Sequence, residues 1–152
     1  MELLNGRKVA DSLLENLKKE VENLKSQNIH PHLTVILVGD DPASKVYVRN
    51  KEKACEKVGI SHEQLTYSAD EMTTEKLIAK IHELNNDPKV SGILVQLPIP
   101  NHIYEPEVIK AIDPKKDVDG FTAYNLGKMF LSTEFESLSP CTAAGVIEIL
   151  DY

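Results

Sequence analysis

Ser44, Tyr47 and Lys51 stand at i, i+3 and i+7 in a run free of glycine and proline, which sets all three on one face of a predicted helix. An aromatic ring one turn from a lysine amine can hold a flat ligand by stacking beside a proton carrier. Gln96 ends an apolar run, at the place where open α/β sheets present polar groups to ligands, although it can equally bond a neighbouring loop. Asp117 and Asp119 alternate in the turn KDVDGF, 116–121. One of them can brace the turn by accepting backbone N–H groups, which leaves the other for a ligand; both being structural is as good a reading of the residues alone.

Each of these signals has a plain alternative. The Y-x-x-x-K spacing also occurs in short-chain dehydrogenases, but those carry a glycine-rich nucleotide loop upstream, and nothing before Tyr47 resembles one. A half-buried Tyr and a solvated Lys on a surface helix would leave the same spacing. Cys141, in PCTAAG, stands at a predicted helix start with Thr142 near the cap. Its thiol could be activated there, but a plain buried thiol fits better. The five histidines show no ligand-type spacing with cysteines or carboxylates, so no metal site is expected.

The elements that must position these residues alternate in type. Asn5 can cap a first helix whose stripe is Val9, Ala10, Leu13, Leu14, Leu17, Val21 and Leu24. The segment 33–38, LTVILV, is apolar on both faces and suits a parallel strand covered from both sides. Asp41 followed by Pro42 marks the start of the Tyr47 helix, with Val46, Ala54, Cys55 and Val58 as its expected apolar contacts and Gly59 as its stop. A short polar strand at 62–67 precedes a third helix, capped by Thr73 or Thr74 and striped by Leu77, Ile78, Ile81 and Leu84. Then come a strand at 91–97, a short helix at 106–112, a long ordered loop at 113–127, and a helix from 142. The expected fold class is α/β: a three-layer domain with a mainly parallel sheet covered by helices on both faces.

The chain has 152 residues, enough for one domain with a real core. Hydrophobic residues make up 41% and charged residues 27%, as in ordinary globular proteins. A net charge of −7 gives no basic face for nucleic acid, and no apolar run has the roughly 20 residues of a membrane span. The start lacks the order of a signal peptide and is expected to be that of the mature protein. Two cysteines suit a reducing compartment better than a disulfide framework. The last residues, GVIEILDY, stop inside an apolar helical pattern, so the chain is expected to be a piece cut where a further domain begins.

Taken together, SKVYVRNKEKACEKVGI, GILVQLPIP and KDVDGF, in that order, resemble the bifunctional methylenetetrahydrofolate dehydrogenase/methenyltetrahydrofolate cyclohydrolase family. YNLGKMF and PCTAAGVIEIL extend the resemblance along essentially the whole chain. It implies a folate-binding catalytic domain over 1–139, and over 140–152 the start of a linker helix into a missing NADP-binding Rossmann domain. It implies oxidation of methylenetetrahydrofolate to methenyltetrahydrofolate with NADP, then hydrolysis to 10-formyltetrahydrofolate, in one-carbon metabolism feeding purine biosynthesis. The resemblance assigns Lys51 as the catalytic lysine and Gln96 as the glutamine that tunes it. It assigns Tyr47 as the ring that packs on folate and Asp119 as the carboxylate that anchors the pterin; Ser44 belongs to the same helix signature. No cofactor-binding or metal residue is implied within these 152 residues. A cytoplasmic homodimer is implied for the full-length protein, with no nucleic-acid or membrane partner. One departure is visible: Ala143 and Ala144 stand where the family has Pro and a basic or other long residue.

Two other readings compete. A phospho-receiver domain would also place Asp40 and Asp41 after a buried strand, but Gln96 stands where its phosphorylated Asp would be, and an amide forms no acyl phosphate. A folate-binding relic without turnover would keep the same motifs. Dehydrogenase activity is not expected from these residues by themselves.

Overall fold

The computed structural model describes residues 4–131 and 138–152. The elements run α1 (Gly6–Ser26), β1 (His32–Val38), α2 (Pro42–Val58), β2 (Ser61–Tyr67), α3 (Thr74–Asn86), β3 (Gly92–Val95), α4 (Glu105–Ala111), α5 (Ala123–Leu131) and α6 (Cys141–Asp151). The three strands form one parallel sheet in the order β2-β1-β3. This is the α/β class expected, with β1 at the centre because its LTVILV core is apolar on both faces.

Alternation along β1 feeds two cores. Ile36 and Val38 join Leu77, Ile81 and Leu84 of α3, Val108 of α4, and Ile93 and Val95 of β3. On the other face Val35 packs with Val48 of α2 and Leu94. Full burial of each such side chain stabilises the fold by about 1.5–3 kcal/mol. The α2 cap is the one its sequence announces: the Asp41 carboxylate accepts the Ser44 N–H at 2.7 Å, and Gly59 ends the helix at φ +83. Thr73, rather than Thr74, caps α3 by accepting the Lys76 N–H at 3.3 Å.

Several expectations need correction. Val46 is exposed; the buried stripe of α2 is Ser44, Val48, Cys55 and Val58, and Val46 points to the opposite side of the helix. Only Val9 and Val21 of the α1 stripe are fully buried, because α1 packs on α2 and α6 rather than lying directly on the sheet. The last strand stops at Val95, so Gln96 and Leu97 lie just beyond it. The loop expected through 127 instead ends early: Ala123–Leu131 is a helix that carries Gly127 in its interior, with open space at the position of a Cβ. The last helix starts at Cys141, with Pro140 as its N-cap and no side-chain cap from Thr142.

Candidate functional site

Lys51 lies in the third turn of α2 and Gln96 lies just past the carboxyl end of β3. The sheet brings them together, because the Gln96 N–H continues the ladder to the Ile36 carbonyl at 2.9 Å. The Lys51 Nζ donates to Gln96 Oε1 at 3.3 Å. The Leu97 carbonyl accepts from Gln96 Nε2 at 2.7 Å, and a carbonyl can only accept, so the amide nitrogen faces Leu97 and the amide oxygen faces the lysine. Ser44 is buried one turn from Tyr47 and donates its hydroxyl to the same Leu97 carbonyl at 3.4 Å. That backbone carbonyl is the part of the site that reading side chains misses. The peptide bond that follows it, Leu97–Pro98, is cis.

The two aspartates divide their roles. Asp117 is 2% exposed and accepts the Thr122 N–H at 2.8 Å, the Asn125 Nδ2–H at 3.0 Å and the Phe121 N–H at 3.3 Å. It is the brace of the turn. Asp119 accepts no hydrogen bond among the described residues and lines a narrow pocket of about 20 Å³ with Leu97 and Phe121. Partial burial pushes its carboxyl above the usual carboxylate range; the Lys51 charge pulls it down and the Asp117 charge pushes it further up. Lys51 and Asp119 therefore share one electrostatic neighbourhood.

Tyr47 stands one turn before Lys51 and is exposed, 61% as a residue. Cys141 is exposed as a residue, not the buried thiol expected, and its Sγ donates to the Val118 carbonyl at 3.2 Å. Its thiol is pushed up rather than activated, first by desolvation and then by the Asp119 charge. Asp40 is engaged by Lys45 at the β1–α2 turn, which leaves Asp41 as the helix cap. No group of three or more His, Cys, Asp or Glu able to hold a metal occurs among the described residues.

A cleft of about 890 Å³ lies at the other end of the sheet, lined by His30, His32, Ser61, His62 and Ser91 among others. It opens at the amino ends of the strands, where α/β sheets do not place their ligands. Size misleads here, and the Lys51 end carries the chemistry. A dinucleotide needs a glycine-rich turn leading from a strand into a helix N-terminus. The β1–α2 turn offers Gly39-Asp40-Asp41-Pro42, whose carboxylates repel phosphate, and no other strand-to-helix connection among the described residues contains glycine. These residues do not fit NADP.

A model of the tetrahydrofolate dehydrogenase/cyclohydrolase catalytic domain matches residues 4–119. The bifunctional protein FolD of Acetivibrio thermocellus is 54% identical over 149 residues, covering 97% of this chain and 51% of its own length. The FolD protein of Brevibacillus brevis is 51% identical over 148 residues, again covering 97% and 51%. Among solved structures, the bifunctional FolD methylenetetrahydrofolate dehydrogenase/cyclohydrolase of Campylobacter jejuni superposes with a TM-score of 0.95 at 43% identity, over 99% of this chain and 53% of that one. The Trypanosoma brucei enzyme, complexed with NADP cofactor and inhibitor, gives 0.90 at 33% identity, over 97% and 50%. The chain thus spans about half the length of the curated relatives it matches.

Proposed function

Since the chain belongs to the tetrahydrofolate dehydrogenase/cyclohydrolase family, we propose that it carries the folate site for one-carbon interconversion at the tetrahydrofolate level. The reactions are oxidation of methylenetetrahydrofolate to the methenyl cation and hydrolysis of that cation to 10-formyltetrahydrofolate. The observation that carries this reading is the fixed contact of the Lys51 amine with Gln96 Oε1, aimed by the Leu97 carbonyl.

In this reading the Tyr47 ring stacks on the flat folate and Asp119 accepts hydrogen bonds from the pterin edge, so the reacting carbon lies beside Lys51. Hydrolysis begins when a water oxygen attacks the methenyl carbon between the two folate nitrogens. The adduct loses a proton, which Lys51 takes up, and the bond from that carbon to the pterin-side nitrogen breaks with the nitrogen protonated. Gln96 holds Lys51 at the distance this transfer requires. Ser44 reinforces the carbonyl that orients Gln96.

NADP, the cofactor in the Trypanosoma brucei complex, is our assigned hydride acceptor for the oxidation. The described residues hold no site for it, so we assign its binding to a Rossmann domain outside this chain. Residues 1–139 form the folate domain of that scheme and 140–152 begin the linker helix. We also place the full-length protein in the cytoplasm as a homodimer serving purine biosynthesis; the two free cysteines suit a reducing compartment. Calorimetry with 5-formyltetrahydrofolate tests the folate site. Binding by the wild-type chain that is lost in Asp119→Ala supports it, and no binding by the wild-type chain contradicts it.

A further inference from the structure

We propose that Asp117 is a positioning residue for this site: its buried carboxylate fixes the loop that carries Asp119 and places a fixed negative charge in the pocket that both line. The proposal rests on the functional reading above, in which Asp119 meets the pterin ring.

The loop is pinned on every side except at Asp119. On the sheet side, the Ile93 N–H donates to the Lys116 carbonyl at 2.7 Å, and Asp117 forms a parallel bridge with Ile93. The Lys116 ammonium donates to the Leu84 and Asp87 carbonyls at 2.9 and 2.8 Å, tying the loop to the end of α3. On the helix side, Asp117 accepts from Phe121 and Thr122 backbone N–H groups and from Asn125, whose Nδ2 also donates to the Pro114 carbonyl at 2.9 Å. Asn125 and Thr122 are each 3% exposed, so this is an interior polar cluster, fully paired through N–H donors. Both Asp117 oxygens act as acceptors, which is the pattern of the ionised form.

No hydrogen bond among the described residues reaches the Asp119 carboxyl, although its backbone is held from both directions. The groups that bear on it are Lys51 from α2, Asp117 from its own loop and Cys141 from the start of α6. Lys51 favours the ionised form of Asp119, and burial and Asp117 oppose it. Asp117 therefore acts against Lys51 at the carboxyl that meets the ligand, adding to the larger effect of burial. A negative charge locked by three donors gives a field fixed in direction, as a mobile surface charge would not.

The test is a carbon-13 NMR titration of the Asp119 carboxyl in the ligand-free 152-residue chain, assigned with Asp119→Asn. In Asp117→Asn the Asp119 midpoint moves to lower pH; a purely structural brace would lower the melting temperature and leave the midpoint in place. A folded Asp117→Asn chain with an unmoved midpoint would overturn the proposal. If Asp117→Asn does not fold, Asn125→Ala carries the test, because it frees one of the three bonds and keeps both charges. Its affinity for 5-formyltetrahydrofolate should fall several-fold, and affinity equal to wild type overturns the proposal. Should the wild-type chain bind no folate while the midpoint still moves in Asp117→Asn, the folate reading fails and the electrostatic coupling stands.

Discussion

The Lys51 Nζ reaches the Gln96 amide oxygen at 3.3 Å across 45 residues of sequence, and the bond to the Leu97 carbonyl fixes the orientation of that amide. The contact exists because α2 follows the central strand and Gln96 follows its neighbour. Two parallel strands thus end at one place, and each delivers one half of the pair.

Gln96→Ala should leave the fold intact, because Gln96 lies past the end of β3 and outside both apolar cores. Hydrolysis of the methenyl substrate should fall roughly a hundredfold, the scale of a misplaced acid–base group. The check is the hydrolysis rate beside a far-ultraviolet dichroism spectrum. A full rate in the Ala variant would remove Gln96 from the mechanism.

Tyr47→Ala should cost affinity and not stability, since the residue is largely exposed and belongs to neither core cluster. Loss of one aromatic stack is worth about 0.5–1.5 kcal/mol, or roughly 2- to 12-fold in the dissociation constant of a folate analogue. Calorimetry and thermal melts separate the two effects.

Asp119→Asn should trade function for stability. The folded chain holds the Asp119 proton more tightly than the unfolded chain does, because of burial first, with Asp117 adding to it. The ionised form is thus disfavoured in the folded state, and a cost to stability is present above the folded-state pKa. The cost fades as pH falls and is gone below the ordinary carboxylate value. The Asn variant should therefore melt higher than wild type at neutral pH and converge with it in acid, while losing folate binding. Parallel melts from pH 3 to pH 8 check the direction; a variant less stable than wild type at neutral pH contradicts it.

Gly92→Ala should disrupt the site from a distance. A Cβ at this position would stand 2.5 Å from Val118 Cγ1, in the loop that carries both aspartates. Overpacking of that kind costs about 1–3 kcal/mol. Val118 adjoins Asp119, so a shift of the loop there should lower folate affinity along with the melting temperature. A melt shifted alone, with affinity unchanged, would show that the loop tolerates the displacement.

Much of the scaffold was legible in the residues. Asp41, Pro42 and Gly59 frame α2 as local chemistry requires, and the two apolar runs fall on adjacent parallel strands. Val46 was misjudged because its apolar character was read without its angle around the helix. The Pro, Gly, Asp and Asn content of 113–127 reads as loop throughout, yet the helix begins at Ala123, since a glycine such as Gly127 with open space around it costs a helix only about 1 kcal/mol. The division of labour between Asp117 and Asp119 was left open by spacing alone. It is decided by Asn125 and Thr122, whose donors become visible only once α5 is folded against the loop. The Leu97 carbonyl could not be read at all, since every residue carries one.

The most direct measurement follows methenyltetrahydrofolate by its absorbance in the presence of the 152-residue chain and, separately, of Lys51→Ala. Faster decay with wild type, and decay at the uncatalysed rate with Lys51→Ala, is the outcome expected if Lys51, Gln96 and Asp119 form a working site. Equal acceleration by both chains would contradict the role given to Lys51. Acceleration by neither, with folate bound by both, would make this chain a folate-binding domain without turnover.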